Sequence, residues 1–221
     1  MALNLGQQIS TPAQPNLGSP TPAYDQGFFG TSFGGLNVYF NKLTALFAAI
    51  LGPRGGKYIN NVYGAFQDGT DQVAANTTTA YAITFDTTDF SNGVTLSNSS
   101  RLNVSQAGLY NLQFSIQFKN TTNDTQDVDV WFRKNGTNID KSNSRFGLAP
   151  RKSSGDPSHM IGALNFFVNL AANDYIEIMW RPSDVGVSIE HFAASSSPTR
   201  PVVPSVIATL SFVSNLSVET A

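Results

Sequence analysis

The sequence of 221 residues predicts an all-β sandwich preceded by an extended arm and one short helix. The first observation is the strict alternation of polar and apolar residues from Asn111 to Phe118, which is typical of a half-buried strand. The second is the recurrence of Asn-Gly and Asp-Gly pairs between short apolar runs, because these pairs favour hairpin turns. The third is a single apolar segment with helical spacing, which comes before all of the predicted strands.

The N-terminal residues 1–35 are predicted to form the extended arm. Prolines and glycines recur throughout this segment, and they oppose both helix and strand. Large apolar side chains, among them Phe28, Phe29 and Phe33, are nevertheless scattered through it, and a flexible linker has no use for them. We therefore expect the arm to dock on another surface and Phe28, Phe29 and Phe33 to take part in the anchoring.

The next segment, residues 36–57, is predicted to be a short apolar helix and a hinge. The helix ends at Gly52-Pro53, a typical C-terminal stop, and it carries one charged residue, Lys42. A helix this short and apolar is not stable alone in water. We expect it to be buried against the β-domain, a symmetry mate or a host protein. Its apolar seam and the two residues that widen it are Leu36, Tyr39, Phe40, Leu43, Leu46, Phe47 and Ile50.

Residues 58–216 are predicted to form the β-rich head, and residues 217–221 a tail. About ten short strands separated by turns indicate a sandwich or a jelly roll. The predicted strands are 61–67, 79–86, 93–96, 101–105, 109–119, 127–134, 160–170, 174–181, 186–192 and 205–214. The predicted core is Phe85, Leu109, Leu112, Phe114, Ile116, Phe118, Phe132, Phe166, Val168, Ile176, Ile178, Ile207, Leu210 and Phe212.

Composition excludes several classes of function. Charged residues make up 13% of the chain and the formal net charge is −2, so no electrostatic footprint for nucleic acid exists. The absence of cysteine excludes disulfides and thiolate metal sites. The N-terminus lacks the features of a secretory signal, and no apolar run is long enough for a transmembrane helix. We therefore expect no membrane insertion.

Catalytic chemistry has little support in the sequence. The two histidines, His159 and His191, lie at strand ends, and Ser158, His159 and Asp156 share one extended segment on which neighbouring side chains point apart. We expect no enzyme activity and no cofactor. The carboxylates of residues 124–129 form either a calcium site or, as we prefer, a solvated turn before a strand.

The segment 141–152 contains four basic residues and no acidic one. Arg145, Phe146, Arg151 and Lys152 are candidates for a ligand loop that contacts an acidic surface or a glycan. The alternative, which we favour, is an ordinary hairpin loop whose Phe146 folds back onto the core.

A family resemblance supports the fold class. The run Gly108-x-Tyr110-x-Leu112-x-Phe114 resembles the G-x-Y-x-F-x-[FY] strand of the complement globular-head and tumour-necrosis-factor jelly rolls, with Leu112 in place of the first Phe. Three shorter stretches agree in order: Phe85-Asp86, Leu170 to Ile178, and Ala208 to Phe212. The resemblance implies a ten-stranded jelly roll that forms a homotrimer, with inter-subunit contacts built from aromatic and apolar side chains.

The whole arrangement resembles accessory virion proteins of tailed bacteriophages, in which an apolar N-terminal arm and a short helix precede a trimeric jelly-roll head. This resemblance implies a capsid decoration or cement protein on the virion surface, with the arm bound to a major capsid or tail protein. The alternative is the receptor-binding tip of a short tail or head fibre that recognises a host surface glycan or protein. Either location, capsid or tail, is compatible with the sequence.

Overall fold

The computed structural model describes residues 26–51 and 61–214, apart from the side chains of Phe28 and of residues 48–51. The chain divides into two compact units, residues 1–61 and residues 62–221. Of the predicted segments, the arm before residue 26, the hinge and the tail at 217–221 lie outside the described residues, as do the side chains of Phe28 and Ile50.

The first unit contains the helix α1, Gln26–Leu51. The helix therefore starts ten residues before the predicted residue 36, and the prediction of an extended arm is wrong for residues 26–35. Each glycine there disfavours a helix by about 1 kcal/mol, but it does not block one as proline does, and residues 26–51 contain no proline. Phe29 and Phe33, one turn apart, stack with ring centroids 6.3 Å apart. No helix among the described residues is long and apolar enough to cross a membrane.

The second unit is built from strands, and within residues 61–214 they form two seven-stranded sheets and one two-stranded ribbon. All strand pairs in the two larger sheets are antiparallel. The strands are β1 (Tyr63–Asp68), β2 (Gln72–Val73), β3 (Tyr81–Ala82), β4 (Thr87–Asn92), β5 (Val94–Ser97), β6 (Arg101–Val104), β7 (Gly108–Asn120), β8 (Gln126–Lys134), β9 (Thr137–Asn138), β10 (Ser144–Leu148), β11 (Ser158–Leu170), β12 (Tyr175–Pro182), β13 (Val187–Ile189), β14 (Ser195–Ser196), β15 (Thr199–Arg200) and β16 (Val206–Ser214).

The first large sheet, called sheet 1, is organised around the 13-residue strand β7. Strand β11 pairs with β7 along its whole length, from Gly108 opposite Leu170 to Asn120 opposite Ser158. On its other edge β7 pairs with β16 and, near its end, with β13. Beyond β16 lie β1 and then β4. The long alternating strand of the sequence is thus paired on both of its edges, and it lies between the edge strand β11 and the strand β16.

The second large sheet, called sheet 2, has the order β10-β8-β12-β6-β5. The short strands β3 and β9 pair with β12 and β8 respectively. Its pairing places Asp129 of β8 between Arg145 of β10 and Arg181 of β12, since both arginines are its direct cross-strand partners. This register determines the chemistry of the outer face of sheet 2.

The core lies between the inner faces of the two sheets and forms one continuous cluster. Phe132 of β8 is 1% exposed, and its ring lies 4.5 Å from that of Phe166 in β11 and 6.0 Å from that of Phe114 in β7. Residues from both sheets therefore interdigitate, as in a β-sandwich. The prediction of a mostly β, antiparallel sandwich with one helix is confirmed.

The prediction of individual strands was close, but it was not complete. Each of the ten predicted ranges overlaps a strand, whereas six strands fall in the predicted connections, and they are β2, β4, β9, β10, β14 and β15. Two predicted core residues are wrong. Leu109 of β7 is half-buried. Ile207 is 44% exposed, because the inward positions of β16 are Val206, Ala208 and Leu210.

Gly108 begins β7 at a place where no side chain fits. A Cβ atom there would lie 2.6 Å from the carbonyl oxygen of Ser214 and would also collide with the ring of Phe212. The same Phe212 ring packs edge-on against Tyr110, with centroids 5.6 Å apart, and the Tyr110 hydroxyl donates a hydrogen bond to the carbonyl of Gln106 at 2.6 Å. Burial of Tyr110 raises the pKa of its phenol to about 12. The Gly-x-Tyr pattern is therefore explained by close packing at the junction of β7 and β16.

Candidate functional site

The outer face of sheet 1 is uncharged over its centre. The outward positions of β7 from Leu109 to Gln117, of β11 from Ile161 to Asn169 and of β16 from Ile207 to Val213 contain no charged residue. Four large apolar side chains on these strands are 44% to 61% exposed, and they are Ile161, Phe167, Ile207 and Val213. We call these outward positions of β7, β11 and β16 the apolar face, after these four side chains; most of the other positions are Asn, Gln, Ser or Thr. The centres of protein interfaces are depleted of charged residues, so this uncharged face is a candidate interaction surface.

Asn111 lies in the middle of the apolar face, between its cross-strand partners Phe167 and Ser211. The Oδ1 atom of Asn111 is buried, and it accepts no hydrogen bond from any described residue. A buried acceptor without a donor costs about 1–3 kcal/mol.

One end of the apolar face is bordered by ion pairs. The Lys119 Nζ lies 2.6 Å from one carboxylate oxygen of Glu190, and the His159 Nε2 lies 2.8 Å from the other. Nearby in the sequence, the His191 ring contacts Asp71 at 2.6 Å. Burial alone would raise the pKa of Asp71, but the hydrogen bonds and charge of His191 outweigh it and lower that pKa. The two histidines thus pair with carboxylates at this border.

The outer face of sheet 2 is charged. Asp129 is 8% exposed, and its carboxylate pairs with Arg145 at 2.9 Å and with Arg181 at 3.3 Å. Burial of Asp129 opposes ionisation, but the hydrogen bonds from Arg145 and Asn143 and the charges of both arginines outweigh this effect and lower its pKa. Charge-assisted pairs of this geometry hold all three side chains in place.

A pocket of about 490 Å³ opens beside Asp129 on this outer face. Its wall includes the half-buried Trp131, whose indole Nε1 donates a hydrogen bond to Asn138 Oδ1 at 2.9 Å. Asn138 belongs to β9, so the hairpin between β8 and β9 holds the indole ring. The complete lining is Asp129, Trp131, Asn138, Ile139, Asp140, Lys141, Asn143 and Arg181.

The four candidate ligand-loop residues do not form one basic surface. Arg145 pairs with Asp129, whereas Phe146 packs into the core, 5.9 Å from the ring of Phe118. Arg151 donates to Asn123 Oδ1 at 2.8 Å, and the exposed Lys152 lies 3.7 Å from Asp156. The favoured alternative, in which Phe146 folds onto the core, therefore agrees with the packing.

The helix presents apolar side chains on more than one side. The seam residues Leu36, Tyr39, Leu43 and Leu46 are half-buried. The aromatic residues Phe29, Phe33, Phe40 and Phe47 are 39% to 66% exposed, as is Val38 at 54%. The predicted seam and its aromatic flank thus lie on one continuous helix, which at 1.5 Å per residue is about 39 Å long.

The side chains considered for catalysis and metal binding do not converge. The Ser158 hydroxyl donates to the carbonyl of Ala149, while the His159 ring contacts Glu190. Within residues 26–51 and 61–214, no three histidine, aspartate or glutamate side chains come together as a metal site. The carboxylate of Asp129, one of those considered for calcium, instead pairs with Arg145 and Arg181.

The alternating pattern of the sequence contained a signal for each of these two surfaces, but it did not indicate the pairing of Asp129 with two arginines or the pocket beside Trp131. The outward residues of β7 from Leu109 to Gln117 are uncharged, and Trp131 lies among charged residues on the outward side of β8.

Neither a scan against protein-family models nor a search of curated proteins finds a match for this chain.

Proposed function

We propose that this chain is a virion structural protein, a homotrimeric capsid decoration module with a jelly-roll head. The observation that carries the proposal is the apolar face of sheet 1, because an uncharged face with exposed Ile161, Phe167 and Ile207 fits a surface covered by another copy. The trimer itself is taken from the family resemblance of the Gly108 strand.

The order of the strands supports the jelly-roll assignment. The chain passes from β7 in sheet 1 to β8 and β10 in sheet 2, then to β11 in sheet 1, β12 in sheet 2 and β16 in sheet 1. Neighbours within each sheet are therefore mostly distant in sequence. Crossing connections of this kind are typical of jelly rolls and other Greek-key sandwiches.

The apolar helix supports the proposed anchoring. Four exposed phenylalanines and one charged residue over 26 positions make a surface that water solvates poorly. Burial of such side chains against a capsid or tail protein contributes about 25 cal/mol per Å² of apolar area. Three copies of the helix on one trimer would bind with avidity.

The test is incorporation into particles. Virions are purified after expression of the full chain or of the double variant Phe40→Ser, Phe47→Ser, and the chain is quantified by mass spectrometry. We expect the wild-type chain at a fixed stoichiometry and the variant strongly depleted. The matched control is Val185→Ser, a 57% exposed apolar residue of the head, which should leave incorporation unchanged.

Equal incorporation of all three chains would contradict anchoring through the helix. Absence of the wild-type chain from virions would contradict the virion assignment.

A second candidate is a receptor-binding fibre tip that uses the same head. The pocket beside Trp131 favours it, because a half-buried aromatic ring beside paired polar groups suits a glycan. Adsorption of virions to host cells separates the two: a decoration protein can be removed without loss of adsorption, whereas a fibre tip cannot.

A further inference from the structure

The pocket on the outer face of sheet 2 combines one aromatic wall with hydrogen-bonding groups on the other sides. Its volume of about 490 Å³ lies within the range of small-molecule sites. Trp131 provides the aromatic surface, and the side chains of Asn138, Asn143 and Asp129 provide amide and carboxylate groups. A pyranose ring has the matching chemistry, since its C–H faces are apolar and its hydroxyls donate and accept hydrogen bonds.

The indole ring of Trp131 is held in place before any ligand arrives. Its Nε1 atom is engaged by Asn138 Oδ1, which also accepts from Arg133 Nε at 3.4 Å. Its direct cross-strand partner on the same outer face, Met179, is 1% exposed. A fixed ring loses little conformational entropy when a ligand stacks on it.

The charge of the pocket indicates a neutral ligand. The charged side chains in its lining are Asp129, Asp140, Lys141 and Arg181, and their formal charges sum to zero. The Asp129 carboxylate already receives Arg145, Arg181 and Asn143, so the two arginines are committed to an internal anion. A carboxylate or phosphate ligand would have to compete with Asp129 for them.

We infer that the pocket bounded by Trp131, Asn138 and Asn143 binds a neutral pyranose, with one face of the sugar on the indole and its hydroxyls on the amides. This inference names the ligand class of the pocket that supports the second candidate function, and it does not depend on the decoration function, because the pocket lies within one copy of sheet 2. A sugar site on the outer surface of a particle would hold the particle near glycan-coated cells.

The experiment is an NMR titration of the full-length protein labelled with ¹⁵N on its indole groups. The chain has two tryptophans, and Trp180 is 1% exposed in the core, so its indole resonance serves as an internal reference. The probes are the methyl glycosides of glucose, galactose and mannose, together with N-acetylglucosamine, each at millimolar concentration. Glucuronate is the anionic control.

We expect a saturable shift of the Trp131 resonance with at least one neutral sugar and no shift of Trp180. The variant Asn143→Ala should weaken binding by about 10-fold or more while both indole resonances remain dispersed. The variant Trp131→Ala should abolish binding measured by calorimetry. The control Phe90→Ala, which removes an aromatic side chain 63% exposed on β4 of sheet 1, should bind like the wild type.

Three outcomes would overturn the inference. These are no shift of the Trp131 resonance with any neutral sugar, a shift with glucuronate alone, and a sugar affinity equal to that of the wild type in both Asn143→Ala and Trp131→Ala. None of them bears on virion incorporation or on molar mass, so the sugar site and the decoration function can fail separately.

Discussion

The outer faces of the two sheets differ in chemistry, although both sheets contribute to one core. The apolar face of sheet 1 has no charge over three strands, whereas the outer face of sheet 2 carries Asp129 with two arginines, and Glu177 with Arg101 at 3.4 Å. Both inner faces are uniformly apolar at their centres. The inner faces thus form the core, whereas the two outer faces present different chemistry at the surface.

The largest expected effect is the loss of self-association when a charge enters the apolar face. In the double variant Ile161→Asp, Ile207→Asp, each carboxylate would have to lose its water at the proposed interface, and the penalty is several kcal/mol per ion. We expect association to weaken by at least about 100-fold, measured by sedimentation velocity.

Val185→Asp is the matched control for this variant, because Val185 is 57% exposed and precedes β13 rather than lying on the apolar face. It should sediment like the wild type. Dissociation of the control to the same extent, or none in the double variant, would show that the apolar face is not the interface.

The next prediction compares the loss of stability when an inward or an outward phenylalanine is replaced. Phe132→Ala removes a core ring that is 1% exposed, and it should lower the free energy of unfolding by about 3–5 kcal/mol. Phe167→Ala truncates a ring that is 53% exposed on the apolar face, and it should change the stability of the folded subunit by less than about 1 kcal/mol while weakening association. Denaturant titrations at one fixed protein concentration provide the comparison. A larger loss for Phe167→Ala than for Phe132→Ala would contradict the assignment of the two faces.

A smaller effect concerns the ion pairs of sheet 2. Because the pKa of Asp129 is lowered in the folded state, its ionised form stabilises the protein above the ordinary aspartate pKa of about 4, and this stability is lost as pH falls through the lowered value. Asp129→Asn should cost about 1 kcal/mol at pH 7, since both arginines are partly solvated.

The difference from the wild type should disappear in acid below the lowered pKa, as measured by thermal unfolding across pH. Asp127→Asn, on the same side of the same strand but exposed, should cost less. A cost for Asp129→Asn that does not change with pH would show that the carboxylate charge is not responsible.

The smallest expected effect is in the helix. A Cβ atom at Gly30 or Gly34 would meet no described atom within 4 Å, so alanine fits at both positions. Each substitution should stabilise α1 by about 0.5–1 kcal/mol, measured by hydrogen exchange of residues 26–51 in the full chain. Reduced protection would indicate that another molecule packs closely against these glycines.

Local patterns predicted most of the strands, because alternation and turn residues are local signals. They predicted the inward side of β7 correctly from Leu112 to Phe118 but failed on Leu109. They also failed on Ile207, where an isoleucine faces outward and the small Ala208 faces the core opposite Phe114. The burial of a side chain in a strand is therefore predicted better by its position in the alternating pattern than by its residue type.

The candidate site was harder to predict because it depends on pairing between distant strands. Arg145 is next to Asp129 only because β10 pairs with β8 in that register, and Arg181 approaches from β12, 52 residues further along. The helix start was missed for a different reason: glycines weaken a helix without ending it, and the apolar spacing from Phe29 to Phe40 continues through them.

The central claim is that the apolar face of sheet 1 is covered by other copies of this chain. The most direct test is the molar mass of the full-length protein by light scattering at micromolar concentration. The account predicts three times the chain mass of 23.7 kDa for the wild type and a single chain mass for Ile161→Asp, Ile207→Asp. A wild-type protein that scatters as a monomer would contradict it.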